Sequence, residues 1–418
     1  MSTRLIITDK IEALKALRDY DCSPDNLSPA LLADREIILA LVESNFFALE
    51  FASDELRNDR EIVLAAVKDS ADELKYASSS LKADREIVLA AVTQDSEALK
   101  FASSKMRADR EIVLAAVTQD GESLEYAKYD IQDDKEICFA AVKNNGRSLR
   151  FASDALQDDR DVVLVAVKQT ADSLEYASDE LRNDREIVLA AVRKYGAALQ
   201  YASKKLRADR EIVLIAVKTC AYSFDYASAE LRDDREIVLA AVVSMGCALQ
   251  YASSELKADR EIVLAAVKQT GRALEFASEE LRADREIVLA AVKIHGSALL
   301  FASDELCNDR EIVIAAVTNC AESFRFASKE LRNDREMVLA AMKAYASSLE
   351  YASKALQADR EIVLIAVNVH GWALAYASDE LKADREIVIA AVKSRGSALV
   401  FASKELQDDK ELINLANL

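Results

Sequence analysis

Chain breakers are scarce. The 418 residues include 2 prolines and 8 glycines. That excludes collagen-like, linker-rich and turn-rich all-β chains. No apolar run approaches the roughly 18 residues of a membrane span. The first 20 residues, MSTRLIITDKIEALKALRDY, are charged throughout and lack the apolar centre of a signal peptide. The six cysteines (Cys22, Cys138, Cys220, Cys247, Cys307 and Cys320) form no CxxC pair and no even framework. An intracellular, cytoplasmic setting with reduced thiols is the expectation. Basic charge is short too: 54 Lys and Arg face 73 Asp and Glu, for a net charge of -19. A nucleic-acid partner is therefore disfavoured.

Catalytic patterns are also missing. There is no GxGxxG, P-loop, HExxH, GxSxG or EF-hand sequence. The expectation is a protein that is not an enzyme and uses no cofactor or metal.

What the chain has in abundance is repetition. Asp-Arg-Glu, with Lys or Asp variants at Asp134, Asp159 and Asp409, recurs sixteen times from Asp34 to Glu411. The spacing is 25 residues at all fifteen intervals, with no insertion or deletion. Each tripeptide carries a net charge of -1, so the acidity belongs to the scaffold rather than to a tail.

Counting from each Asp as position 1, positions 4 to 9 typically read Ile-Val-Leu-Ala-Ala-Val. Ala-Ala favours helix over strand, the Asp suits an N-cap, and Glu at position 3 suits the positive helix end. These features predict a helix over positions 1 to 11. A second amphipathic stretch covers positions 14 to 23, with Leu, Ala and Leu at 16, 19 and 23. Ser at position 20 leaves open whether this stretch is one bent helix or two short pieces. Position 18 is always Phe or Tyr, an expected packing column.

All eight glycines fall at position 13, where other repeats carry Ala, Ser96 or, once, Phe46. Five alanines argue against a positive φ and for a size limit where the turn meets the next repeat.

One hairpin of this length cannot bury both apolar faces alone, whereas stacked copies can. The predicted fold is all-α: a right-handed α-solenoid of two-helix 25-residue repeats forming a single continuous superhelical domain. Residues 1–33 read as an N-terminal capping helix and half-repeat. Fifteen repeats follow over 34–408, and 409–418 form a truncated capping repeat whose Asn414 replaces the usual Leu.

The core DREIVLAAVKxxGxALxYASxELRxD resembles a repeat family known only as a domain of unknown function. The resemblance covers residues 27–418. It implies tandem helical repeats of the kind found in intracellular bacteria, including candidate host-directed effectors, and in some protists. Delivery into a host cell is compatible with the resemblance if the source is bacterial. No reaction or cofactor comes with the resemblance. A looser likeness is to leucine-rich-variant repeats, which alternate an α-helix with a 3₁₀ helix.

Positions 10, 11, 12, 14 and 17 vary. In the early repeats they are polar, as at Ser70, Asp95, Asp120 and Asp72. From about residue 193 they become aromatic, sulfur-bearing and less charged. Tyr195, Tyr222, Met245, His295, Tyr345, His370 and Trp372 are the candidate partner-binding residues, on a ridge that would take a protein or peptide. The two histidines sit three repeats apart, too far to share one metal ion. Two readings stand: a non-enzymatic scaffold for a protein or peptide, or a self-assembling protein whose regular solenoid is itself the functional element.

Overall fold

The computed structural model describes residues 6–19, 22–44 and 47–417. Phe46 lies outside them. The chain divides into two compact units, residues 1–212 and 213–418, each an all-α array of repeats. Among the described residues there is no strand beyond a single bridge between Ile7 and Leu27.

Each repeat from the one at Asp59 to the one at Asp384 has three pieces; the repeat at Asp34 has a nine-residue helix, Arg35–Glu43, and a short α-helix, Ala48–Phe51, in place of the first two. The first is a ten-residue α-helix at positions 2 to 11, such as Arg85–Gln94 in the first unit and Arg260–Gln269 in the second. The second, at positions 13 to 18, is a six-residue 3₁₀ helix such as Ser96–Phe101 or Gly271–Phe276. The third is a short closing turn, either 3₁₀ as at Leu256–Ala258 or α as at Glu279–Arg282. The second amphipathic stretch is thus two pieces. It breaks at position 19, where Ala102 has φ -67° and ψ 154°. Ser at position 20 caps the closing turn, as Ser278 does by accepting from the Leu281 amide. At the N-terminus, Asp9 caps the helix Lys10–Arg18 by accepting from the Glu12 amide.

Positions 4, 5, 8 and 9 carry the core. Ile87, Val88, Ala91 and Val92 are fully buried, as are Ile262, Val263, Ala266 and Val267. Leu at position 16 joins them, for example Leu99 and Leu274. The aromatic column at position 18 is different: its rings are half-buried rather than core. In early repeats a position-17 cation lies over the ring, as Lys100 does over Phe101 at 5.0 Å. The fully buried phenylalanines, Phe224 and Phe324, stand instead at position 16.

The repeated aspartate has two tasks. One oxygen of Asp84 accepts from the Glu86 and Ile87 amides at 3.0 and 3.1 Å, capping its own helix. The other accepts from Arg60 of the preceding repeat at 3.1 Å. Arg60 also pairs with Glu86. The same arrangement recurs in the second unit, where Arg260 pairs with Asp284 at 3.2 Å and with Glu286. Lys10 of the first helix takes the Arg role toward Asp34 at 2.8 Å and Glu36 at 2.9 Å. The Asp-Arg-Glu column is therefore an ion-pair ladder between repeats. Within each unit a backbone bond adds to it: the amide of position 20 donates to the position-24 carbonyl one repeat earlier, as Ser103 does to Lys82 at 2.9 Å.

The glycine column is set by contact, not by φ. A Cβ on Gly121 would lie 2.3 Å from the Ala141 carbonyl oxygen and 2.7 Å from Ser148 Oγ. On Gly271 it would lie 2.3 Å from the Ala291 carbonyl oxygen. Where Ala stands instead, as at Ala71 and Ala171, it is buried.

Candidate binding ridge

The turn between the long helix and the 3₁₀ helix collects the variable positions at one end of every long helix. Its first constraint is polar. The last carbonyls of each helix and the amide of position 13 need partners. The next repeat supplies them. Asn144 donates to the Thr118 and Gln119 carbonyls at 3.1 and 3.2 Å while its oxygen accepts from the Gly121 amide at 2.9 Å. Asn319 does the same for Lys293, Ile294 and Gly296. Gln269 clasps Ser244 and Gly246. Variable position 11 therefore has a structural job at Gln119, Asn144, Gln169, Gln269 and Asn319.

The candidate residues divide in this light. Tyr195 is in the first unit; Tyr222, Met245, His295, Tyr345, His370 and Trp372 are in the second. His295 is exposed but works inside the scaffold: its Nδ1 accepts from the Gly271 amide at 3.1 Å, which puts the neutral ring's proton on Nε2. It stands in for the missing amide at position 11, which is Ile294. Met245 is half-buried. His370 and Trp372 belong to a small cluster. Their rings meet edge-on with centroids 5.8 Å apart. The Arg395 guanidinium covers the indole at 4.2 Å. Trp372 Nε1 donates to Ser397 Oγ at 2.9 Å.

Tyr195, Tyr222 and Tyr345 have no such partners and are 47 %, 69 % and 44 % exposed. Trp372 keeps 44 % of its surface exposed despite its cluster. Val243, Ile294 and Val369, which are not among the candidate residues named from the sequence, are also exposed large apolar side chains of the second unit's turns. The signal was there: Val243 sits at position 10, where Lys or Thr is usual.

Charge at the turns also separates the units. Positions 10 to 14 of the second unit carry seven cations (Lys218, Lys268, Arg272, Lys293, Lys343, Lys393 and Arg395) against one carboxylate, Glu322. The corresponding turns of the first unit carry six cations and eight carboxylates. In a chain of net charge -19, the second unit's turns are a basic and partly apolar exception. Among the described residues no three His, Cys, Asp or Glu side chains are grouped as metal ligands.

The model for "Domain of unknown function (DUF4116)" matches in consecutive stretches, 34–82, 84–132, 134–182, 184–232, 234–282, 284–332, 334–382 and 384–416, with overlapping matches at 316–357 and 359–407. The chain belongs to that family. Each complete family unit spans two of the 25-residue structural repeats, ending at position 24 of the second. No curated protein matches the chain. Among the described residues no helix is long and apolar enough to cross a membrane.

Proposed function

We propose that this DUF4116 repeat chain is a non-enzymatic scaffold whose second unit binds a protein or peptide along its turns. The observation that carries this reading is the pairing of exposed Tyr222, Val243, Tyr345, Val369 and Trp372 with turns that hold seven cations and one carboxylate. Exposed aromatic and aliphatic side chains supply anchor surface, and basic neighbours steer an oppositely charged partner. The partner that fits is a segment with acidic residues flanking apolar anchors.

The test is a displayed-peptide library panned against the full chain. Binders should be enriched in Asp and Glu beside aromatic or aliphatic residues. A variant with Tyr222, Val243, Tyr345 and Val369 replaced by Thr should lose them, since these four side chains are exposed and no scaffold bond depends on them. Equal enrichment on both proteins would move binding elsewhere. The second reading, self-assembly, draws on the contrast between the basic turns and the acidic Asp-Arg-Glu edge. It predicts a molar mass that rises with concentration in light scattering.

A further inference from the structure

Position 24 closes each repeat from inside. It is Arg in seven repeats, Gln in four and Lys in three. The four Gln side chains, and Arg57 and Arg232 among the arginines, fold back onto carbonyls at the end of the preceding short helix of their own repeat. Arg107, Arg182, Arg207, Arg282 and Arg332 instead bury an Nε without a partner. Arg57 donates to the Leu49 and Glu50 carbonyls at 3.0 and 2.8 Å. Gln157 donates to the Leu149 and Ala152 carbonyls at 3.2 and 3.1 Å. In the second unit Arg232 reaches Asp225 and Ala227, and Gln357 reaches Leu349 and Glu350.

The eleventh repeat breaks the pattern with Cys307. A thiol is short and a weak donor. It sits 3.5 Å from the Leu299 carbonyl oxygen and 4.0 Å from that of Ala302. The short side chain borders a cavity of about 650 Å³, lined by these residues with Leu300 and Phe326, where the corresponding cavity beside Gln357 measures about 460 Å³. A second observation agrees. Ala at position 19 is buried in every other repeat, and Ala302 alone is half-buried. Burial pushes the Cys307 thiol up to about 11, so it stays protonated at neutral pH. Charged residues on the lining are Asp304, Glu305 and Glu330 against Lys329 and Arg332.

We infer that this cavity is a receptor for a guanidinium on a flexible methylene stem, supplied from outside the chain. The carbonyls of Leu299 and Ala302 would accept its N–H groups as their counterparts accept from Arg57 and Arg232. Leu300 and Phe326 would cover the stem, and the excess of one carboxylate favours a cation. The inference stands apart from the turn-ridge reading and survives its failure.

Two probes test it by titration calorimetry and NMR: Nα-acetyl-arginine amide, which mimics an arginine side chain of a partner protein, and agmatine, a free small guanidine. At least one should bind saturably to the full chain with a Kd of about 1 mM, the scale expected for so small a ligand. Tighter binding of the blocked amino acid assigns the site to a partner's arginine; tighter binding of agmatine assigns it to a free guanidine. Nα-acetyl-norleucine amide, which lacks the donor, should not bind.

Cys307→Arg and Cys307→Gln restore side chains that other repeats already hold, so they should fold, and they should weaken binding about tenfold or more. Cys307→Ser keeps the cavity and should keep the binding. Saturable binding by neither probe, or undiminished binding to Cys307→Arg, overturns the inference.

Discussion

Glu73 is the one buried carboxylate in a column of small residues. Position 15 is Ala or Ser in every other full repeat, whereas Glu73 is only 2 % exposed. Its Oε2 accepts from the Leu49 amide at 3.2 Å, at the start of the short helix Ala48–Phe51. Phe47, the N-cap residue of that helix, makes no side-chain capping bond, so the cap comes from the next repeat. Burial raises the Glu73 carboxyl from 4.5 to about 7; the Ala48 and Leu49 amides oppose the rise, and Asp69 and Glu50 add to it. The folded state thus binds the proton more tightly than the unfolded chain. This contribution is full below pH 4.5, falls as pH rises, and is gone above about 7. At about 1.4 kcal/mol per tenfold difference in proton affinity, the whole effect is about 3 kcal/mol. About 2.5 kcal/mol of it falls between pH 5 and pH 8. Glu73→Gln keeps an acceptor for Leu49 and removes the ionisation. Opening free energies for the amides of residues 48–76, from hydrogen exchange at several pH values, should fall with pH in the wild type relative to the variant. Because carboxylates elsewhere titrate alike in both proteins, the difference isolates Glu73. Parallel pH profiles for the two proteins would refute the reasoning.

Three further outcomes are expected. Gly121→Ala should destabilise by about 1–3 kcal/mol, because its Cβ meets both a carbonyl oxygen and Ser148 Oγ. Gly271→Ala, whose Cβ meets no serine hydroxyl, should cost less, and Ser148→Ala should recover part of the Gly121→Ala loss in urea melts. Asp334→Ala should cost about 1 kcal/mol through the lost cap to the Met337 amide. The bond from Arg310 holds the Asp334 carboxyl below its usual value of 3.8, so in wild type this stabilisation is present above that range and lost as pH falls through the lower folded value. Acid titration followed by circular dichroism, wild type against variant, checks that direction. Leu274→Ala should be the most damaging of these, at about 2–5 kcal/mol, since Leu274 is fully buried; urea melts compared with wild type measure it.

The repeat, its capping aspartates and its ion-pair ladder were legible because each rests on local spacing that recurs without change. The 3₁₀ helix was not, for a geometrical reason. Leu and Ala at positions 16 and 19 are three residues apart, and that interval lies on one face whether the period is 3.0 or 3.6. The break at position 19 is a backbone event at an alanine, which announces nothing. The ridge was legible as variation but not as exposure. His295 and Tyr345 occupy the same position of the repeat, yet one accepts a bond from Gly271 and the other faces solvent without a partner. That difference depends on position 11 of the same turn, Ile294 in one case and Ala344 in the other, and on the glycine or alanine it faces. Glu73 and Cys307 were visible as departures from their columns. Their consequences needed the neighbour each one touches.

The unbroken 25-residue spacing follows from how many contacts depend on one register. At a typical step, the residue at position 2 pairs with positions 1 and 3 of the next repeat, as Arg60 does with Asp84 and Glu86. Position 13 lies against the position-8 carbonyl of that repeat, as Gly121 does against Ala141. The position-20 amide bonds back to the preceding position 24. These three contacts involve different pieces of the repeat. An added residue in the long helix would turn its buried positions by about 100° and displace the first two together. One added to the closing turn would displace the third and the next capping aspartate. No piece can absorb an insertion alone, because each is tied to a neighbour at both ends. Turn positions 10, 12 and 14 are the exception in composition though not in length. Their side chains point away from the ladder, so their chemistry can change from Asp95 to Tyr345 while the backbone stays in step.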